Sequence, residues 1–182
     1  MGRTSEETRL DGKRIFSGRV VVLEVDRVGL PNGAESVREV VRHRGAAVVL
    51  PVLEDGRVVL VRQYRYPVAE SLLELPAGTL EPGEDPLACA ARELAEETGF
   101  NARTLAPLGR FYSAPGYTDE ALLAVLATGL ERTATLDPDH DELIDVELVA
   151  GGEVLRRVAS GEIRDAKTIA TLMLAQLRGV GF

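Results

Sequence analysis

Long apolar runs are missing from this 182-residue chain. No stretch approaches the roughly 20 apolar residues of a membrane-spanning helix. The polar beginning, MGRTSEETRLDGKR, carries no apolar core of a signal peptide. Its first residues match a short myristoylation pattern, read as coincidence because nothing else points to a membrane. Cysteine occurs once, at Cys89, which excludes an intramolecular disulfide and suits a reducing compartment. A cytoplasmic protein without membrane attachment is the expectation. Basic charge is in deficit: 21 Lys and Arg against 29 Asp and Glu leave a net charge of −8. That excludes a general attraction to nucleic acid or to an anionic membrane surface. A negatively charged ligand would have to approach through a local basic patch or through bound cations. Histidine is confined to His43 and His140, which show no partner pattern and read as ordinary surface or strand residues.

What is present is ordinary for a globular chain, with 45% hydrophobic and 27% charged residues. The length suits one domain, or one domain with a small appendage. GRVVVLEVDRVGL and ESVREVVRH are β-branched runs joined by PNG, which predicts a hairpin over residues 18–43. GAAVVLPVLEDGRVVLVRQYRY predicts two apolar strands in a hairpin around EDG. SLLELPAG reads as a short strand entering a glycine turn. Two more strands flank the Pro-Gly loop SAPGYTDE, and LIDVELVA is another. GEVLRRVASG and AKTIATLMLAQLRG have helical periodicity. Strands surround helices without strict β-α alternation, so the expected class is α+β with a mixed sheet.

The most informative stretch is AGTLEPGEDPLACAARELAEETGF, residues 77–100. Asp85 is a good N-cap, Pro86 suits the first helical position and Gly99 suits a C-terminal cap, so a helix is predicted over 86–98. Leu87, Ala90, Ala91, Leu94 and Thr98 are expected to face the core, flanked by Cys89 and Ala95. Glu93, Glu96 and Glu97 then crowd the C-terminal end, where like charges repel and the helix dipole disfavours negative charge. A solvated acidic face would avoid that end. A cluster of carboxylates beside a constrained Gly-Pro-Gly loop suits a hard divalent cation such as Mg²⁺ or Mn²⁺.

Gly78, five residues, Glu84, seven residues, then RELAEETGF at 92–100 resembles the Nudix box at its defining positions. The resemblance implies the Nudix α/β/α sandwich with a mixed sheet, and a helix that holds Mg²⁺, or Mn²⁺, at a diphosphate. By position, Glu93 and Glu97 would be the main metal ligands. Glu96 would be a further ligand or act through metal-bound water, and the Ala77 carbonyl would also serve. Glu84 and Arg92 would lock the loop to the helix as a charged pair, while Gly78 and Gly99 would meet backbone requirements.

Two further segments resemble the ADP-ribose pyrophosphatase-like branch: SAPGYTDE, with Pro115 sixteen residues beyond Gly99, and VRQYRYPVAESLLELPAG. That resemblance implies hydrolysis of nucleoside diphosphate sugars, with ADP-ribose cleaved to AMP and ribose 5-phosphate. GDP-mannose, ADP-glucose and non-hydrolytic ADP-ribose binding are the alternatives. Arg65 would contact the diphosphate or adenosine side, with Arg62 a weaker choice because strand alternation turns it to the other face. Glu74 would bind a ribose or amino group, and Gly116 would line the substrate. Glu120, with Asp119 as its neighbouring substitute, would be the general base on a mobile loop. In this branch a segment like residues 18–43 is exchanged between subunits. Residues 1–44 are therefore expected to support a homodimer and line the partner's site, with Val20 near the adenine, and residues 45–182 to form the hydrolase domain.

Overall fold

The structure, a computed structural model, describes residues 6–132 and 144–182. His140 lies outside the described residues. The described residues form two compact units, one of those up to Gly45 with Tyr112–Ala121, the other of Ala46–Phe111 with the described residues from Leu122 to Phe182.

The first unit is an antiparallel sheet of β1 (Thr8–Ser17), β2 (Val22–Gly29) and β3 (Glu35–Arg42), in that order. The expected hairpin is β2–β3. It turns at PNG, where Gly33 takes φ 84° and donates its N–H to the Leu30 carbonyl at 2.9 Å. The correction is β1, a third strand drawn from the polar N-terminal stretch. All ten of its residues are exposed, so it has no apolar alternation to announce it. Charge holds it instead: Arg9 meets Asp26 at 2.9 Å and Arg27 meets Asp11 at 2.6 Å across the β1–β2 pair. The loop at 112–121 also belongs to this unit. Val41 N–H donates to the Tyr117 carbonyl at 2.8 Å, and Val41 and Thr118 form a parallel bridge.

The second unit contains two sheets. One has the order β7-β4-β9-β8, from Ala77–Thr79, Ala46–Pro51, Ala121–Arg132 and Phe100–Tyr112. The other has the order β10-β5-β6, from Ile144–Ala150, Arg57–Arg65 and Glu70–Glu74. β4 pairs parallel with β9 and antiparallel with β7, which makes the sheet mixed. β4 and β5 are joined at EDG as expected but do not form a paired hairpin. Past the Val52–Val58 bridge they enter different sheets, because each is flanked by two other partners. Alternation along β4 sends Val48 and Leu50 into one core cluster with Leu60, Leu73 and Leu172, and Ala47 and Val49 into another with Val59, Ala90 and Leu94. Helices α2 (Gly151–Ala159) and α3 (Ala166–Leu177) supply side chains to the first cluster, and α1 (Pro86–Thr98) supplies the second. This is an α/β/α sandwich.

Helix α1 has its expected bounds. Asp85 accepts from Leu87 N–H at 2.9 Å and Ala88 N–H at 3.2 Å, and Gly99 closes the helix at φ 68°. Its buried face is rotated from the expected stripe. Ala91 is exposed, whereas Cys89 and Glu97 are buried with Ala90, Leu94 and Thr98. Helix α1 packs against β7 as well as β4, and β7 needs a polar partner for its backbone.

Candidate active site

Helix α1 lies against the loop that runs from β7 to Asp85, and one guanidinium joins them. Arg92 Nε donates to Glu84 Oε1 at 3.0 Å and Nη2 to Glu84 Oε2 at 3.2 Å. The same side chain donates from Nη1 to Glu93 at 2.7 Å and to Glu96 at 2.9 Å. The Glu84 bonds, more than any other contact, raise the Arg92 pKa beyond its ordinary value. In return Arg92 holds the Glu84 carboxyl below its usual range. Glu84 Oε2 also accepts from Glu81 N–H at 2.8 Å, so the pair fixes the loop backbone to the helix.

Glu97 is only 3% exposed and accepts from Ala77 N–H at 3.1 Å. The β7 backbone that was expected to offer the Ala77 carbonyl thus also binds a helix carboxylate through its N–H. Glu93 presses against Gly78. A Cβ at position 78 would lie 1.8 Å from Glu93 Oε1, so glycine there leaves the space the carboxylate fills. Cys89, whose thiol faces the Gly78 carbonyl at 3.6 Å, is buried, and burial, reinforced by Glu84 and Glu93, pushes that thiol up to about 12. Among the described residues no three His, Cys, Asp or Glu side chains converge in a metal-binding group. The donor set still suits a hard divalent cation. It is all oxygen, lies on successive turns of one helix and has a glycine-shaped recess for Glu93.

A second constellation sits where β5 meets β6. Arg65 donates from Nε and Nη2 to the two oxygens of Glu74, at 2.9 and 2.8 Å. Lys167, in the first turn of α3, also donates to Glu74 and lies 3.0 Å from Asp165. Glu74 is 1% exposed. The carboxylate expected to meet a ribose or amino group is held by two cations, which it positions. Burial alone would raise Glu74, but the Arg65 bonds and the Lys167 charge outweigh it and hold the carboxyl below its ordinary value of 4.5. Arg65 is raised in turn, chiefly by Glu74. Arg62 points elsewhere, to Glu147 at 2.7 Å. Lys167 was missed by sequence reasoning. A cation in a first helical turn opposes the dipole, and that was the available signal.

Within the first unit, Val20 sits half-exposed in the turn between β1 and β2. Gly116 lies in an open turn where a Cβ would meet nothing within 4 Å. Glu120 and Asp119 lie on a loop that is bonded to the end of β3. Asp119 accepts from His43 N–H at 2.8 Å and from Arg42 at 3.3 Å. Glu120 Oε1 is 3.6 Å from His43 Nδ1. The reading of His43 as an ordinary residue is corrected by this contact, which spans 77 positions and leaves no trace in the local sequence.

Residues 41–172 match the NUDIX domain model. The chain belongs to the Nudix family, whose members generally use divalent metal ions. It is 42% identical to a methanol dehydrogenase activator of Bacillus methanolicus, over 98% of this chain and 97% of that protein. It is 41% identical to an ADP-ribose pyrophosphatase of Bacillus subtilis, over 97% of this chain and 96% of that one. Among solved structures, an ADP compounds hydrolase superposes with a TM-score of 0.83 at 26% identity, covering 96% of this chain and 95% of the other. The chain is a Nudix hydrolase.

Two outcomes test the geometry. Gly78→Ala displaces Glu93 rather than the backbone, since the clashing atoms end a flexible side chain. Its melting temperature should stay close to wild type while Mn²⁺ affinity, measured by titration calorimetry, falls roughly tenfold, about 1.4 kcal/mol. Glu74 has a depressed folded pKa, so its contribution is complete above its ordinary value near 4.5 and is lost as pH falls below it. Denaturant titrations should show Glu74→Gln less stable by about 3 kcal/mol at pH 7, where Arg65 and Lys167 face an amide. The gap to wild type should narrow below pH 4.5.

Proposed function

We propose that the protein hydrolyses the diphosphate linkage of nucleoside diphosphate sugars, with ADP-ribose the preferred substrate, giving AMP and ribose 5-phosphate. The carrying observation is the union of an intact carboxylate helix on Arg92 with near-full-length similarity to an ADP-ribose pyrophosphatase. Glu93, Glu96, Glu97 and the Ala77 carbonyl would hold Mg²⁺, with Mn²⁺ able to substitute. A divalent ion held there would supply neutralisation of charge developing on the phosphoryl oxygens and would make a water easier to deprotonate. Glu84 and Arg92 keep the loop and helix in register. Arg65, aligned by Glu74, supplies a fixed cation toward the diphosphate. Glu120 is the general base that takes the proton of the attacking water, and Gly116 lines the substrate.

The protein would act as a cytoplasmic homodimer that binds no nucleic acid. Support comes from the net charge of −8, the single buried free Cys89 and the exposed Leu10, Ile15, Phe16 and Val20, and in such a dimer Val20 would line the partner's site. Among the described residues no helix is long and apolar enough to cross a membrane. Purified protein with Mg²⁺ should release AMP from ADP-ribose faster than it cleaves GDP-mannose or ADP-glucose. Activity on none of the three, with Mg²⁺ or Mn²⁺, would overturn the reading, and tight ADP-ribose binding without AMP release would make the protein a non-hydrolytic binder.

A second reading follows from the 42% identity to a methanol dehydrogenase activator, against 41% to the ADP-ribose pyrophosphatase. In it the chain raises the activity of an alcohol dehydrogenase. Addition of the protein with Mg²⁺ to a purified methanol dehydrogenase should then increase its rate severalfold, and an unchanged rate would remove this reading.

A further inference from the structure

We propose that Arg42, His43 and Asp119 form a clamp that positions Glu120, making the Glu120 loop a mechanical extension of the N-terminal sheet. The inference rests on the reading of Glu120 as the general base for its kinetic consequence, though not for its mechanical one.

The clamp has a backbone part and a charged part. Val41 N–H donates to Tyr117 O at 2.8 Å, and Asp119 N–H donates back to Val41 O at 3.4 Å. The loop therefore lies alongside the end of β3, joined to it by a parallel bridge between Val41 and Thr118. Asp119 then closes over the end of β3. One carboxylate oxygen accepts from His43 N–H at 2.8 Å and the other from Arg42 Nη1 at 3.3 Å. The neighbouring backbone is held on both sides of Glu120. Ser113 N–H donates to the Glu120 carbonyl at 3.2 Å, and Glu120 N–H donates to Thr118 Oγ1 at 3.2 Å.

Arg42 connects this clamp to the sheet. Its Nε donates to Glu24 at 3.1 Å and its Nη2 to Asp26 at 3.0 Å, both on β2. Those carboxylates meet β1 in turn, Glu24 at Arg14 (3.4 Å) and Asp26 at Arg9 (2.9 Å). A chain of alternating charge thus runs from β1 through β2 and β3 to the residue beside Glu120. A planar guanidinium with three separate carboxylate partners is a contact that a lysine could not reproduce. His43 enters the clamp through its backbone N–H: its ring Nδ1 accepts from Gly45 N–H at 3.0 Å, so the same nitrogen, 3.6 Å from Glu120 Oε1, donates no hydrogen bond to that carboxylate.

A general base works only within hydrogen-bond reach of the proton it takes. Misplacement by about 1 Å can cost about a hundredfold in rate. Asp119 is therefore a positioning residue, not an alternative base, since both its oxygens are engaged.

The test compares wild type, Asp119→Ala, Glu120→Gln and the double variant, with ADP-ribose and Mg²⁺ as the probe. Glu120→Gln should lose about 10² to 10⁴ in kcat, the contribution of a positioned base. Asp119→Ala should lose about tenfold to a hundredfold in kcat with KM nearly unchanged. The double variant should be no slower than Glu120→Gln alone, because the clamp acts through that side chain. Equal Asp119→Ala losses in both backgrounds would overturn the kinetic coupling. Hydrogen exchange reads the clamp independently of catalysis. Asp119→Ala should speed exchange of the backbone amides at 41–43 and 117–120 while leaving α1 unchanged. Unaltered exchange there overturns the clamp. If Glu120→Gln turns over at the wild-type rate, or ADP-ribose is no substrate, the base or substrate reading fails and exchange still decides the clamp.

Discussion

Everything around the carboxylate helix depends on Arg92. Four acidic side chains, Glu84, Glu93, Glu96 and Glu97, are concentrated within the loop and helix of one motif, and Arg92 is the cation that three of them share. A single guanidinium can bind one carboxylate in a fork and still offer its remaining N–H groups to others. It binds Glu84 by the fork and reaches Glu93 and Glu96 from Nη1. The fork sets the loop against the helix. The Nη1 contacts draw in the two helix carboxylates, which would otherwise repel each other over one turn. One positive charge cannot offset so many negative ones at the dipole's negative end. The motif is therefore built with an electrostatic deficit, which a bound cation relieves.

The same sign of evidence marks the second constellation. Glu96 and Glu97 stand at the wrong end of α1 for their charge, and Lys167 stands at the wrong end of α3. A helix terminus carrying the disfavoured sign requires a compensating partner. For Lys167 the partner is Glu74, buried and shared with Arg65. The first anomaly was read from the sequence and led to the motif. The second was equally visible but stood alone, without a spacing pattern to support it.

The fold was legible where periodicity and punctuation agree. Asp85, Pro86 and Gly99 delimit α1, and PNG marks the β2–β3 turn, because caps and turns are local chemistry. Legibility ended where partners are remote. β1 is held by cross-strand ion pairs and buries no apolar side, so its sequence looks like a solvated tail. β4 and β5 look like a hairpin because only local order is visible, yet each is claimed by other strands. The stripe on α1 was drawn from hydrophobicity alone. A buried glutamate with a backbone partner at Ala77 shifts that face, and no hydropathy count favours placing Glu97 inside.

The site residues divide along the same line. Box residues are set by short-range geometry, and their places could be read by position. Arg42, His43 and Asp119 could not, since their contacts span 76 or 77 positions and join a strand end to a distant loop. In a chain of net charge −8 the arginines and lysines meet abundant carboxylates, and each such contact fixes a long side chain that would otherwise keep its rotamer freedom. Glu74 fixes Arg65 and Lys167, and Glu24, Asp26 and Asp119 fix Arg42. The acidic excess thus has two uses: carboxylates orient the cations, and those of α1, themselves gathered by Arg92 and the Ala77 N–H, form an oxygen set that suits a divalent ion.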